Sequence, residues 1–391
     1  MIKLLAKPQD NIFIVGDDDQ SIYRFRGAKP EIMFQFKKDY EDAEQICLST
    51  NYRSTDEIIK SATILVNNNE KRFFKSIKGT GKLGEKVEIA TLKNDKEETK
   101  YILKLIDNYL KLGYEYNDIA VLYRTNTNPR QLVDKLLEFN LPFRMKDVIP
   151  NIYEHWITRD ILTYIRIALG SRSRADFLQI INRPKRYIAR DAFYEEEVSF
   201  WNLKEYYSDK VYVIERIERL KYDLQWLERM SPYEAINYIR HGIGYDEYVL
   251  EYAGYRKMRP EELYEILDEL QEMSSEYKNY DDWFKHIVEY GEELKKQNAE
   301  KVNVKEGIEL STMHSSKGLE YKVVIILGAN EGITPYRKAM LKDDIEEERR
   351  LFYVAMTRAK ERLHILSVRE RYGKEAEISR FVREISAIKK Q

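Results

Sequence analysis

The sequence predicts an α/β domain with a parallel sheet, interrupted by an all-helical inserted domain. Apolar strand-like runs alternate with helical patterns up to about Pro150, and the same alternation returns after about Val304. Between about Glu154 and Asn298, apolar residues recur at helical spacing and no convincing β-run is found. Alternating strands and helices are typical of a parallel α/β layer. A pattern of this kind that stops and resumes indicates one domain inserted within another.

The first α/β segment contains four predicted strands and three predicted helices. Short apolar runs predict strands at 12–15, 45–48, 86–92 and 118–123. Apolar residues at helical spacing predict helices at 55–67, 97–112 and 129–139.

Short apolar runs and apolar residues at helical spacing also predict the remaining elements. Residues 260–290 indicate amphipathic helices, with Leu263, Ile266, Leu267 and Leu270 on one face. The polar stretch 295–304 closes the helical region. Strands are then predicted at 308–312, 323–327 and 363–368, with a helix at 346–359.

Composition narrows the function classes. The 391 residues are 43% apolar and carry 66 Lys+Arg against 67 Asp+Glu, so a nucleic-acid surface must be a local patch. The single Cys47 excludes an intrachain disulfide and a cysteine metal cluster, and five scattered histidines give no metal-ligand spacing. We predict no metal site in this chain. Neither a signal peptide nor a membrane-spanning apolar run is found, which predicts a cytoplasmic protein without a membrane partner.

Residues 11–28, NIFIVGDDDQSIYRFRGA, are the most informative segment. Gln20, just past a strand-like run, is a neutral amide that could contact a terminal phosphate and orient water. Tyr23 and Phe25 offer planar faces, and Arg26 adds charge, a combination that suits stacking on nucleobases. In isolation, an ordinary strand followed by a polar turn explains the segment equally well.

Two further segments contain residues that are suited to binding phosphate. In NYRS, Tyr52 could stack on a purine while Arg53 reaches a phosphate, although a helix N-cap with an incidental arginine also fits. In residues 311–332, STMHSSKGLEYKVVIILGANEG, the polar loop around Lys317 could hold phosphates, and Glu320 could bind a ribose hydroxyl. An ordinary polar loop before a core strand is the alternative. A fourth segment at 346–362, EEERRLFYVAMTRAKER, is by itself an amphipathic helix with a solvated charged face.

Taken together and in this order, the four segments resemble signature motifs of the UvrD/Rep/PcrA-type superfamily 1 DNA helicases. The first is similar to the family's VGDDDQSIYRWRGA and the second to its NYRS. The third resembles MTxHxxKGLEF…GxxEG and the fourth EEERRLxYVAxTRA. The resemblance spans essentially the whole chain. It implies RecA-like domains of the P-loop NTPase type.

The resemblance also implies a role for each matching residue. As catalytic contacts to the γ-phosphate it indicates Gln20, Arg53 and Arg358. As ATP-binding residues it indicates Tyr52 at the adenine, Glu320 at the ribose, and Lys317. As DNA-binding residues it indicates Tyr23, Phe25, Arg26, Thr312, His314, Lys185 and Arg186.

The implied organisation is the C-terminal part of an ATP-dependent 3′–5′ helicase that unwinds duplex DNA. Residues 1–50 would be a remnant of the first RecA-like domain. Residues 51–149 and 301–391 would form the second domain, and 150–300 the helical insertion. The implied partners are single-stranded and junction DNA and the N-terminal half of the helicase.

The largest departure from the family pattern is an absence. The phosphate loop (G-x-x-x-x-G-K-T) and the Mg²⁺-binding Asp-Glu pair should precede residue 11, and the sequence contains neither. Residues 78–82, KGTGK, do not replace the loop, because Leu83 follows where a hydroxyl is needed. Asp17, Asp18 and Asp19 are distinct from the family's metal ligands. ATP and Mg²⁺ are therefore expected in the intact protein, and no ATP hydrolysis is expected from the isolated chain.

Two smaller departures concern DNA contacts. Phe25 stands where the family usually has Trp, and a phenyl ring still stacks, with less area. In the insertion, the family's Pro-Lys-Arg is usually followed by Gly-Ile-Gly, whereas Tyr187, Ile188 and Ala189 follow here. Losing both glycines removes close backbone approach. Weaker duplex binding is expected, although Lys185, Arg186 and Arg190 keep the patch basic.

Two alternatives stay open at this point. One is a non-catalytic module derived from such a helicase that binds single-stranded DNA or a partner. The other is the helicase–nuclease branch, which would add a C-terminal nuclease domain for which the sequence after ISRFVREI leaves no room.

Overall fold

The computed structural model describes residues 11–24, 27, 31–299 and 306–387. The chain divides into two compact units, one formed by Met1–Ile149 with Glu300–Gln391 and the other by Pro150–Ala299. In the described residues the first unit is α/β and the second is built from helices. The fold class predicted from the sequence is confirmed.

The described part of the first unit begins at Asn11 with irregular chain and a 3₁₀ turn at Asp18–Gln20. Its N-terminal segment then forms α1 (Glu31–Asp39), α2 (Asp56–Val66), β1 (Glu88–Leu92), α3 (Asp95–Lys111), a 3₁₀ turn (Tyr116–Asp118), β2 (Ile119–Tyr123), α4 (Arg130–Glu138) and β3 (Phe143–Met145). The start of α3 is fixed by an N-cap. The Asn94 side chain accepts a hydrogen bond from the Glu97 amide, and acidic residues occupy the first turn.

The second unit is a succession of helices. They are α5 (Trp156–Ala168), α6 (Arg174–Ile180), α7 (Phe200–Tyr206), α8 (Val211–Leu227), α9 (Pro232–Asn237), a π-helical turn (Tyr238–Gly242), α10 (Tyr245–Arg256), α11 (Pro260–Ser274) and α12 (Tyr280–Ala299), with 3₁₀ turns at Ile152–Glu154 and Arg190–Ala192. The central helix α5 is buried almost all round, with Asp160 held inside the unit by Arg183 and Tyr245.

The first unit then resumes and completes its sheet. Its C-terminal segment forms β4 (Ile308–Thr312), β5 (Tyr321–Ile326), α13 (Lys342–Met356), β6 (Ala359–Val368), the short hairpin β7 (Glu370–Arg371) and β8 (Lys374–Glu375), and α14 (Arg380–Ser386). The strand order is β1-β6-β5-β2-β4-β3, and every neighbouring pair is parallel. Strands β3 and β4, which flank the inserted unit in sequence, are neighbours in the sheet.

Both faces of the sheet are covered, as in parallel sheets generally. All five residues of β2 are buried. Ala120 and Leu122 point to a cluster with apolar residues of α2, α13 and α14. Because successive strand residues face opposite sides, Val121 points to the other face.

Helix α13 departs from the predicted solvated charged face. Its charged residues Glu346, Glu348, Arg349 and Arg350 are buried. Arg349 bonds Glu384 of α14 and Asn69, while Glu348 bonds Arg124 after β2. The charged sequence EEERR therefore ties three elements of the unit together instead of facing water.

Two predicted strands are wrong. Residues 12–15 and 45–48 form no strand, and Phe13, Val15, Ile46 and Leu48 are exposed. A strand needs a neighbour to pair its backbone, and no described strand lies beside either run. The other predicted strands are confirmed to within a few residues, β3 was not predicted, and α12 extends to Ala299 through part of the polar stretch, whose residues 300–304 lie outside the described residues.

Within the described residues, the chain has no helix whose length and apolar character would let it cross a membrane.

Candidate active site

The site residues lie at the two edges of the parallel sheet. Glu320 directly precedes β5 and Arg358 directly precedes β6, so both lie at the amino edge. Thr312 is the last residue of β4 and lies at the carboxyl edge. The loop 313–320 returns from the carboxyl edge to the amino edge, and it therefore links the two groups.

The NYRS turn is fixed against the start of β6. The Asn51 carboxamide oxygen accepts hydrogen bonds from the amides of Arg53 and Ser54 at 2.9 and 3.1 Å. The Ser54 hydroxyl donates to the carbonyl of Ala359 at 2.6 Å. These bonds hold Arg53 beside the amino edge and leave the ring of Tyr52 80% exposed.

Arg53 and Glu320 form the centre of the amino-edge site. The Arg53 guanidinium donates to the Glu320 carboxylate at 2.7 Å, and Lys360 contacts the other carboxylate oxygen at 2.6 Å. The hydrogen bonds from Arg53 and Lys360 lower the pKa of Glu320 to about 2. Glu320 is therefore charged at neutral pH and is paired with Arg53 and Lys360.

Arg358 lies behind this pair and is 2% exposed. Its guanidinium donates to the carbonyls of Val354 and Leu319 at 2.9 and 3.1 Å and to the Thr357 hydroxyl at 3.1 Å. Burial, followed by the nearby positive charge of Arg53, lowers its pKa to about 10. The guanidinium groups of Arg53 and Arg358 repel each other, and Arg358 is buried. Such a pair favours the binding of an anion.

The acidic turn Asp17–Asp19 is held by two cations that were not predicted. Lys75 contacts all three carboxylates, at 2.7 Å for Asp17 and 3.1 Å for Asp19. Arg72 forms a two-pronged bond to Asp19 at 3.0 and 2.8 Å. Burial acts to raise the pKa of Asp19, but the bonds and charges of Arg72 and Lys75 outweigh it and hold that pKa below its usual value.

The same arrangement tests whether the turn fits a metal ion. Oxygens of the three aspartates lie close enough together to share one. The ammonium of Lys75, however, already contacts all three carboxylates, so the residues do not fit Mg²⁺. The Gln20 amide donates to Asp17 at 2.6 Å and so belongs to this network.

Lys317 connects Gln20 to the predicted DNA side. Its ammonium donates to the Gln20 carbonyl at 2.8 Å and lies 5.2 Å from the centre of the Tyr23 ring. Burial lowers the pKa of Lys317. The Tyr23 hydroxyl donates to the His314 carbonyl at 3.3 Å. Lys317 thus lies between the predicted phosphate-contacting residue and the predicted stacking residue.

The remaining predicted DNA residues have different surroundings. The Thr312 hydroxyl donates to Asp147 at 2.8 Å, and Asp147 also accepts from Ser315, so Asp147 organises this loop. Phe25 and Arg26 lie outside the described residues.

In the helical unit, Lys185 is exposed whereas Arg186 is only 7% exposed. The Arg186 guanidinium donates to the carbonyls of Ile180, Ile181 and Pro184 and to the Tyr164 hydroxyl. Its donors are directed into the unit, so the DNA contact predicted for Arg186 does not fit this geometry. A basic sequence patch cannot reveal that one of its members is buried.

Four residues that contact the sites were not predicted. They are Arg72, Lys75, Asp147 and Lys360, and each bonds a residue that is distant in sequence. Arg72 and Lys75 lie in the basic run KRFFKSIK and Lys360 lies in the fourth segment, but charged runs are ordinarily solvated surfaces.

The six-stranded parallel sheet with an arginine cluster at its amino edge is typical of a RecA-like helicase domain. Residues 46–370 match the family model of the UvrD-like helicase C-terminal domain. Residues 1–41 match that of the UvrD/REP helicase N-terminal domain. The chain belongs to the UvrD-like helicase family.

Individual relatives are similar over nearly the whole chain. The putative ATP-dependent DNA helicase YjcD of Bacillus subtilis is 31% identical over 98% of this chain and 51% of its own length. The ATP-dependent DNA helicase PcrA of Staphylococcus epidermidis is 32% identical over 98% of this chain and 55% of its own length. PcrA of Staphylococcus aureus is 31% identical over the same shares. The chain therefore spans about half the length of these relatives.

Proposed function

We propose that this chain supplies one wall of the ATP site and part of the DNA path of an ATP-dependent 3′–5′ DNA helicase. The observation that carries the proposal is the convergence of Arg53, Arg358 and Glu320 at the amino edge of the sheet, beside the exposed ring of Tyr52. Two neighbouring guanidinium groups suit the γ-phosphate of a nucleotide.

The residues at the amino edge would divide the work. Arg53 and Arg358 would stabilise negative charge that develops on the transferred phosphate. Tyr52 would stack on adenine, and Glu320 would accept a hydrogen bond from a ribose hydroxyl. Since Glu320 is already bound to Arg53 and Lys360, nucleotide binding would have to rearrange that pair.

Gln20, Lys317 and Tyr23 would couple ATP hydrolysis to movement along DNA. Hydrolysis of bound ATP supplies free energy for movement in the intact protein. A shift of the Gln20 main chain toward the phosphate would move its carbonyl, to which the Lys317 ammonium donates, and this ammonium also lies against the Tyr23 ring. Aromatic stacking is worth roughly 1–3 kcal/mol per base and is tolerant of sequence, which suits stepping along a single strand.

The isolated chain is proposed to be inactive as an ATPase. Its sequence contains no phosphate loop, and its acidic turn is occupied by Lys75. The Mg²⁺ ligands and the opposite wall of the cleft would come from an N-terminal half, which would be a partner together with single-stranded and junction DNA.

The test is complementation. The 391-residue chain is mixed with a separately produced N-terminal helicase domain that carries the phosphate loop, and ATP hydrolysis is measured with and without single-stranded DNA. We expect neither part to hydrolyse ATP alone and the mixture to show DNA-stimulated hydrolysis. Arg358→Ala should lower that rate about 10³-fold, in line with arginine fingers, whereas Lys60→Ala, an exposed change on α2, should not.

Two results would contradict the proposal. Robust hydrolysis by the isolated chain would show that the site is complete without a second part. DNA binding without any hydrolysis in the mixture would favour the alternative, a non-catalytic binding module. Strand displacement by the active mixture on 3′-tailed but not 5′-tailed duplexes would test the direction.

A further inference from the structure

Asp147 lies directly beside the end of β4. Strands β3 and β4 pair in parallel with Met145 opposite Leu310, and the Lys146 amide donates to the Leu310 carbonyl at 3.1 Å. This bond continues the pairing one residue beyond the end of β3. Because a parallel ladder keeps its register, Asp147 then comes beside Thr312 at the carboxyl edge of the sheet.

The Asp147 carboxylate uses both of its oxygens to hold the turn 312–315. One oxygen accepts from the Thr312 hydroxyl at 2.8 Å and from the Thr312 amide at 3.1 Å. The other oxygen accepts from the Ser315 hydroxyl at 2.8 Å. The Ser315 amide in turn donates to the Thr312 hydroxyl oxygen at 3.2 Å. We call these three residues, joined by these bonds, the Asp147 network.

The network uses the donors of Thr312. This residue is 8% exposed, and the hydrogens of its hydroxyl and of its amide are both directed to Asp147. A carboxylate is an unfavourable neighbour for a phosphate, because like charges repel. Hydrogen bonds to a charged acceptor, however, are stronger than bonds between neutral groups. The negative charge at this place therefore suits a residue that holds the loop better than one that contacts DNA.

The loop that follows Thr312 also contacts the segment with the predicted stacking residue. The His314 carbonyl accepts from the Tyr23 hydroxyl at 3.3 Å, and the centres of the two rings are 6.2 Å apart. Further along the loop, the Lys317 ammonium donates to the Gln20 carbonyl at 2.8 Å. The turn that Asp147 holds is thus the turn that contacts Tyr23.

We propose that Asp147 is a positioning residue for the binding of single-stranded DNA. It fixes the turn that includes His314, and through His314 it positions the Tyr23 ring for stacking on a base. The inference rests on the proposed function, in which single-stranded DNA is bound at this edge of the sheet. Thr312 then acts as a member of the Asp147 network, and not through a contact of its own hydroxyl with the DNA backbone.

The experiment measures the binding of a fluorescent oligothymidylate to the full 391-residue chain by anisotropy, below the unfolding transition of every variant as followed by circular dichroism. Asp147→Ala should weaken binding about tenfold, the order of one lost base stack, with an unchanged salt slope because no cation is removed. Asp147→Asn keeps an oxygen for Thr312 and an amide donor for Ser315, so it should bind within about threefold of the parent chain. As a control, Asp42→Ala removes an exposed carboxylate that has no ion pair among the described residues, and it should not change binding.

A double-mutant cycle tests whether Thr312 acts through Asp147. Thr312→Val removes the hydroxyl that joins Asp147 to Ser315, and it should also weaken binding about tenfold. The double variant Asp147→Ala with Thr312→Val should bind about tenfold, and not about a hundredfold, more weakly than the parent chain, because members of one network are not additive. Thr312→Ser keeps the hydroxyl and should bind like the parent chain.

The proposal is overturned if Asp147→Ala binds as tightly as the parent chain. It is equally overturned if both Asp147 variants bind more tightly, since the carboxylate would then only repel phosphate, or if Asp147→Asn loses as much affinity as Asp147→Ala. An additive cycle, or a parent chain that does not bind the oligonucleotide, would also reject it. The ATPase complementation assay with the parent chain decides the proposed function separately, and a mixture without hydrolysis would reject that function while the binding series still decided the role of Asp147.

Discussion

Glu320 is the proposed ribose contact, and the same carboxylate pairs with two cations at the amino edge. Its carboxylate is shared between Arg53 and Lys360, and the pKa of about 2 follows from those two bonds. An anion that attracts Arg53 would release Glu320 for another hydrogen bond. Arg53, the proposed phosphate contact, therefore positions Glu320, the proposed ribose contact.

This pairing predicts how stability depends on pH. A carboxyl group whose pKa is lowered by folding stabilises the folded state above its unfolded pKa, and that contribution is lost as the pH falls through the folded pKa. Glu320→Gln should therefore lower the free energy of unfolding at pH 7, by at most about 1 kcal/mol because the Glu320 side chain is 43% exposed and screened by solvent. Urea denaturation should show the difference fading between about pH 4.5 and pH 2.

A matched control is Glu41→Gln, which changes an exposed carboxylate that has no ion pair among the described residues. It should leave the pH dependence of unfolding unchanged. A deficit of Glu320→Gln that persisted undiminished at low pH would mean that packing, and not charge, explains the effect.

At the scale of an element, the 3₁₀ turn at Asp18–Gln20 depends on Lys75. Asp18 and Asp19 are buried, and Lys75 reaches both as well as Asp17. Removing one member of a buried ion pair leaves charge uncompensated. Lys75→Met should therefore lower the free energy of unfolding by about 3 kcal/mol at pH 7.

The pH dependence of Lys75→Met has a definite sign. The lowered pKa of Asp19 stabilises the folded state above the usual aspartate pKa, and this stabilisation disappears as the pH falls. The deficit of the variant should shrink below about pH 4, as Asp19 becomes protonated. Lys78→Met, three residues further on and exposed, should be nearly neutral. Equal losses in the two variants would contradict the role of Lys75.

Sequence reasoning located most elements because their signals are local. Strand β4 is an apolar run between polar loops, and its predicted bounds are those of the structure. Residues 12–15 carry the same kind of run and form no strand, because pairing depends on a neighbour that the run itself does not encode. A helix contains its own hydrogen bonds, which is why the predicted helices α2, α3 and α4 were found within two residues.

Candidate site residues could be proposed from the sequence where they lie in a motif, and not where they depend on contacts between distant segments. Arg53, Glu320 and Arg358 come from three separate motifs and meet at the amino edge. Lys75 and Asp147 contact residues far away in the chain, and no local pattern indicates those contacts. The DNA contact of Arg186 stays a prediction, and its burial could not be foreseen because it depends on contacts with Asn182 and Tyr164.

At the scale of the whole molecule, the two units should unfold as separate cooperative systems. Strands β3 and β4 pair directly, so the sheet is complete without any strand from the inserted unit. The inserted unit has its own polar centre, where Asp160 accepts hydrogen bonds from Arg183, Gln179 and Tyr245. A unit with its own core is expected to fold alone.

Asp160→Asn tests this independence. The side chain is 1% exposed, and hydrogen bonds to a charged group are worth about 1.5–3 kcal/mol, so the variant should destabilise the helical unit by about 2 kcal/mol. The loss should be the same in the fragment Pro150–Ala299 and in the full chain, measured by calorimetry and by circular dichroism at 222 nm. Asp209→Asn, an exposed change in the same unit, should have no effect. If Asp160→Asn lowered every transition of the full chain together, the units would be one cooperative system, and the inserted unit would then be part of what holds the sheet.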